Sequence, residues 1–228
     1  MNKIIEQIIK EFNIKRNQVE TTIHLIDEGN TIPFIARYRK EATGNLDDVT
    51  LRELDERLMY LRHLEKRKEE VLRSIENQGK LTDGLTKKIE MAGILQEVED
   101  LYLPYKQKRK TRAVIARELG LEPLATLIRL QISTDEEILQ EGKKYIDLEK
   151  KIETGEDAVI KAMDIIAEDI SDEAEYRKKI REFVFEYGFL TSTYSKKSQE
   201  EITEFEMYYD FSEKVNKIAN HRVLATNR

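Results

Sequence analysis

Apolar residues recur at three- and four-residue steps along most of this chain, the spacing of one helix face, and strict alternation is scarce. Ile4, Ile5, Ile8, Ile9 and Phe12 predict a first helix, and Val19, Ile23 and Ile26 a second that Gly29 caps, together a helical hairpin. Pro33 suits the first turn of a brief third helix reaching Arg37, which Thr43-Gly44-Asn45 brings to an end. Thr50 with Glu53 has the form of a capping box, and from Leu51 the positions Leu54, Leu58, Leu61, Leu64, Val71, Leu72 and Ile75 keep one face until Gly79. A helix from Leu51 to Gln78 would span about 40 Å, enough to link two regions rather than sit inside one. Its opposite face carries Glu65, Lys66, Arg67, Lys68, Glu69 and Glu70, read as a solvated surface of mixed sign.

Beyond Gly79, Thr82 caps a helix through Met91, and Ile94 to Leu101 forms another before Pro104 interrupts it. Thr111 opens a helix from Arg112 to Leu119, closed by Gly120, and Pro123 starts the next, with Leu124, Leu127, Ile128 and Leu130 expected to be buried. Thr134 and Glu137 form a capping box. Ala158, Ala162, Ile165, Ile166 and Ile170 mark one helix and Tyr176, Ile180, Phe183, Val184 and Tyr187 its successor, expected to pack as an antiparallel pair. Phe189 to Tyr194 is β-prone, the segment 205–213 is aromatic without clean periodicity, and residues 221–228 read as a last helical turn or two. The fold class is therefore all-α: an elongated multi-helix scaffold with a long central helix, helical hairpins and a short β segment near 189–197. Its expected parts are a hairpin region (1–45), a long-helix and basic-loop region (46–120) and a helical subdomain (121–228).

Composition agrees, since 37% of the 228 residues are charged, 7% are aromatic, none is Trp, and there are only 3 Pro and 9 Gly. A net charge of −6 argues against a surface that coats nucleic acid throughout, so any such contact must be local. Without cysteine there are no disulfides or thiolate metal sites, and His24, His63 and His221 are too scattered to form a ligand set by spacing, so neither metal nor cofactor is expected. The N-terminus threads charges among its apolar residues and no long apolar run follows, which predicts a soluble chain with no membrane partner; a reducing cytoplasmic setting is compatible.

The strongest chemical signal is basic. Lys106, Lys108, Arg109, Lys110 and Arg112 place five cations in seven positions without a carboxylate, next to Tyr102 and Tyr105. Cations beside aromatics suit phosphates and unpaired bases. The alternative is a loop that neutralises Glu97, Glu99 and Asp100, or Asp135, Glu136, Glu137 and Glu141, with Tyr102 in the core. Arg37, Arg39 and Lys40 flank Tyr38 and offer a second candidate contact, or else Arg37 and Arg39 tie the short helix to a neighbouring acidic helix by bidentate pairs. Asn17 and Gln18 could start a base-reading helix, but Glu20 and sparse cations disfavour that role. No catalytic constellation, glycine-rich phosphate loop or nucleophile elbow is present, so no enzyme is expected.

Two irregular strings carry a family resemblance. Leu101-Tyr102-Leu103-Pro104-Tyr105-Lys106 resembles the "DLYLPYKPKRRTRA" signature of the Tex transcription accessory family, with Gln107 where proline is usual. Asp27-Glu28-Gly29-Asn30-Thr31-Ile32-Pro33-Phe34-Ile35-Ala36-Arg37-Tyr38-Arg39-Lys40-Glu41-Ala42-Thr43-Gly44 resembles the same family's N-terminal signature. The likeness continues through 165–172 and 207–228 and weakens around 130–154. It implies an N-terminal piece of a longer protein, ahead of a ribonuclease-H-like domain, helix-hairpin-helix elements and an S1 domain that would carry most nucleic-acid binding. This region would then be a scaffold contacting RNA or single-stranded DNA weakly. Alternatively, it is a helical protein-interaction module of the transcription machinery with no nucleic-acid contact.

Overall fold

In the computed structural model, which describes residues 2–106, 110–193 and 204–227, the chain divides into two units, Met1–Tyr102 and Leu103–Arg228. The first holds α1 (Asn2–Phe12), α2 (Arg16–Asp27), α3 (Ile32–Tyr38), α4 (Asp48–Glu76), α5 (Asp83–Met91) and α6 (Leu95–Tyr102). With 29 residues, α4 is about 43 Å long, and it lies within this unit rather than running into the second. It joins two groups of helices there, packing against α1, α2 and α3 and against α5 and α6.

Asp47 sets the start of α4 by accepting the Thr50 N–H at 2.7 Å. The expected Thr50–Glu53 box is not the cap, because a carboxylate three residues earlier already satisfies an orphan donor and the helix begins before Thr50. Leu51, Leu54, Leu58, Leu61, Leu64, Val71 and Ile75 are buried, as their spacing requires. Lys68 completes that stripe, which corrects its reading as part of a solvated face. Only 7% exposed, it donates to the Glu65 carboxylate at 2.7 Å and to the Glu90 carbonyl near the end of α5 at 3.1 Å. A cation there complements the partial negative charge at the end of a helix.

Three arginines of α4 grip three other helices. Arg57 binds Glu11 of α1 through two bonds of 2.7 Å, and Arg62 binds Asp27 of α2 in the same way. Arg67 reaches Glu99 of α6 at 2.6 and 3.3 Å, again departing from the solvated reading. Such two-pronged pairs fix orientation as well as distance.

After a short 3-10 turn (Leu103–Tyr105), the second unit contains α7 (Arg112–Glu118), α8 (Glu122–Leu130), α9 (Asp135–Gly142), α10 (Gly155–Asp172), α11 (Ala174–Tyr187), β1 (Phe189–Thr193), β2 (Asp210–Lys214) and α12 (Asn220–Thr226). Ala116, Leu121, Leu124, Ala125, Ile152, Ala158, Ala162 and Ile165 form its core. Small residues let helices approach: a Cβ on Gly142 would come within 2.7 Å of the Gly155 carbonyl oxygen. Leu130 is exposed, contrary to expectation, because Gln131 turns left-handed (φ 55°) and ends α8 beside it.

The antiparallel pairing expected for α10 and α11 does not bury the α11 face. None of its residues is buried, and Ile180, Phe183, Val184 and Tyr187 remain exposed. β1 occupies the first part of the expected β segment, whose residues 194–197 lie outside the described ones. It pairs antiparallel with β2, with Thr191 opposite Ser212. The fold is thus mostly all-α, and this two-stranded sheet supplies its strands among the described residues.

Candidate nucleic-acid interface

The two groups of candidate cations meet different surroundings. In α3, Ile35 is fully buried, while Phe34, Arg37 and Tyr38, with Phe34 three and four residues from the other two, are exposed. The Phe34 and Tyr38 rings lie 5.2 Å apart and tilted by 43°, with Tyr38 65% exposed. Arg37 and Arg39 are exposed and make no ion pair or side-chain hydrogen bond among the described residues, so the bidentate tethers considered from sequence are not formed.

Lys40 is also exposed. The Asp47 carboxyl near it is held below the usual range chiefly by accepting hydrogen bonds at Thr50, with the Lys40 charge contributing.

A clamped turn carries Arg39 and Lys40. Thr43 N–H donates to the Arg39 carbonyl at 3.1 Å and Asn45 N–H to the Lys40 carbonyl at 2.8 Å, while Gly44 and Asn45 take φ of 67° and 65°. From α2, Gln18 Nε2 donates to the carbonyls of Thr43 (3.2 Å) and Gly44 (3.1 Å), and its Oε1 accepts the Lys15 N–H (3.0 Å). Gln18 is therefore committed to holding this turn and is not free to read bases.

The second group is more compensated. Lys110 pairs with Glu118 at 2.9 Å, and Arg112, 85% exposed at its side chain, lies 3.6 Å from Asp164. For Lys110 and Arg112 these carboxylates, Glu118 and Asp164, belong to the same unit. Lys106 is exposed and borders a cleft with Pro104 and Arg117 that Glu168, Asp169, Asp172 and Glu173 also line, a setting that repels phosphate. Arg117 is spent on Glu168 (2.7 Å) and Asp169 (2.6 Å). Lys108 and Arg109 lie outside the described residues.

Tyr102 is no stacking platform. It is half-buried, its hydroxyl shares a 3.0 Å hydrogen bond with Ser74 Oγ, and the Arg67 guanidinium covers its ring at 5.4 Å from the centroid. Tyr105 is also half-buried, within the 3-10 turn. What the sequence did not reveal was the role of Gln18 in holding this turn, and its one signal was a long amide three residues into α2, placed to reach back to the helix start.

A long helix clamped by its neighbours, with cations presented on short turns, defines a helical scaffold. The chain belongs to the Tex-like proteins: residues 2–76 match the model of the Tex-like protein N-terminal domain, and residues 134–228 that of the Tex central region-like family. It is 49% identical over 224 residues to the Bacillus subtilis protein YdcI, covering 98% of this chain and 31% of that one. Against the transcriptional accessory protein Tex of Neisseria gonorrhoeae, identity is 42% over 219 residues, covering 96% of this chain and 28% of the relative. A human S1 RNA-binding domain-containing protein is 32% identical over 236 residues, with 100% and 23% covered. The chain thus spans about three tenths or less of the length of these relatives. Among the described residues no helix is long and apolar enough to cross a membrane.

Proposed function

We propose that this chain is the scaffold portion of a cytoplasmic transcription accessory factor. Its own contact with RNA or single-stranded DNA is weak and electrostatic, and the main binding lies in S1 and related domains of the longer protein. It carries out no reaction itself. The observation behind the scaffold reading is the clamping of α4 by Arg57, Arg62 and Arg67 to α1, α2 and α6, an investment in fixed geometry rather than in a cleft. The names of the Neisseria and human relatives supply the transcription and RNA elements of the reading.

The test is binding of labelled single-stranded RNA to this chain at about 50 and 200 mM salt. Binding that weakens steeply with salt supports the proposal, and absence of binding at the lower salt removes the nucleic-acid part of it. Changing Lys108, Arg109 and Lys110 together to Glu measures the share of the basic loop.

A second reading, a protein-interaction module without nucleic-acid contact, is favoured by α11, which turns Ile180, Phe183, Val184 and Tyr187 to the surface.

A further inference from the structure

Most arginines in the described chain are already matched to carboxylates: Arg16, Arg52, Arg57, Arg62, Arg67, Arg117, Arg129 and Arg222 all sit in ion pairs. Arg37 and Arg39, like the exposed Arg73, have no such partner among the described residues, although the chain carries a net charge of −6 and thus has carboxylates to spare. For Arg37 and Arg39 this coincides with an exposed aromatic pair, Phe34 and Tyr38, on the same short helix. We infer that the α3 face, with Tyr38 as a stacking platform and Arg37 and Arg39 as phosphate ligands, is a contact for single-stranded nucleic acid without sequence preference.

The proposal rests on the reading above that this chain touches single strands, and it names where and how. Charge complementarity selects a polyanion, because two guanidinium groups without partners among the described residues stand beside Lys40. The exposed ring selects unpaired bases, since every base offers a face to stack on and a duplex hides those faces. Rigidity favours it too: the turn that follows α3 is bound by Gln18 and closed by the Asn45-to-Lys40 bond, so little backbone order remains to be imposed on binding. Among the described residues of the basic loop, Lys110 and Arg112 stand beside carboxylates, Lys106 borders an acidic cleft, and Tyr102 is covered by Arg67. An acidic peptide would use the arginines but gain little from Tyr38.

The experiment measures fluorescence anisotropy of a labelled oligouridine of roughly 12 nucleotides, within the usual reach of such grooves, with the chain and its Tyr38→Ala, Tyr38→Phe and paired Arg37→Gln/Arg39→Gln variants. Circular dichroism confirms that each variant is folded, which the exposure of these side chains favours. Tyr38→Ala should weaken binding roughly five- to hundredfold, with Tyr38→Phe within about twofold of the parent. The paired arginine change should weaken it and reduce the slope of log affinity against log salt by about 1.4, two phosphates at about 0.7 each. A duplex of equal length should compete poorly.

If the parent binds and these variants bind equally well, the α3 assignment falls while the general reading stands, the contact lying elsewhere. If the arginine pair matters but Tyr38→Ala does not, the stacking mode falls. If the parent binds no single strand at low salt, both fall. Burial of α3 by a protein partner in that case assigns the face to protein recognition.

Discussion

Lys68 offers the sharpest check of how α4 is held. Replacing it with Ala removes three buried methylenes, about 2.4 kcal/mol at about 0.8 kcal/mol each. It also removes charge-assisted bonds to Glu65 and to the Glu90 carbonyl. Counting one of them as lost outright, because water reaches exposed Glu90, adds about 1.5 kcal/mol. Freed side-chain entropy returns about 1.5–2 kcal/mol, leaving a net loss of about 2 kcal/mol. Lys68→Met keeps the stem and should cost about 1 kcal/mol, whereas Lys66→Ala, at an exposed position, should stay within about 0.5 kcal/mol. Urea denaturation followed by circular dichroism gives the totals. Hydrogen exchange of α4 and α5 amides confines the effect to the Met1–Tyr102 unit. If Lys68→Ala proves as mild as Lys66→Ala, the buried placement of Lys68 in the apolar stripe is wrong.

Gln18→Ala removes three hydrogen bonds at the turn below α3 and should cost about 1–2 kcal/mol. Gly44→Ala should be at least as damaging, since its φ is 67° and the new Cβ would approach Gln18 Nε2 to 2.6 Å; faster amide exchange at Thr43 and Asn45 reads both changes. Thr22→Val should be neutral or stabilising by up to about 1 kcal/mol, because the buried Thr22 hydroxyl has no hydrogen-bond partner among the described residues; a lowered urea midpoint contradicts this. The Arg57 and Arg62 guanidinium groups hold the Glu11 and Asp27 carboxyls below their ordinary values through donated hydrogen bonds. Folded values below the unfolded ones make the clamps' contribution complete above about pH 4 and progressively lost as pH falls below it. Glu11→Gln with Asp27→Asn should therefore lower stability at neutral pH and flatten its decline between about pH 4 and pH 2, measured by urea titrations across that range.

The helices were legible wherever burial decides position, because the Leu51-to-Ile75 stripe can satisfy its apolar side chains only as one helical face. Lys68 escaped because pattern reading assigns a cation to solvent, while a long apolar stem with a distant charge can occupy a core position and reach a carbonyl. Tyr102 and Arg67 escaped for a related reason: their partners, Ser74 and Glu99, are set by helix packing rather than by local sequence. The β2 partner of β1 was hidden because its residues Asp210–Lys214 alternate between half-buried and exposed without an apolar alternation to announce it. In α11 the stripe at Tyr176, Ile180, Phe183, Val184 and Tyr187 was read correctly as a face, but periodicity does not say what a face meets. The α3 cations were visible as letters. That Arg37 and Arg39 have no carboxylate partner among the described residues, which makes them candidates for an anion, is a three-dimensional property.

The arginines at 57, 62 and 67 are five residues apart, and each step of five advances roughly 140° around a helix of 3.6 residues per turn. Their grips therefore point to three separate bearings about the rod's axis, as guy lines hold a mast. A load that tries to spin the rod must prise open at least one bidentate contact whichever way it turns, so torque applied at one end is handed to the surrounding helices rather than dissipated as twist.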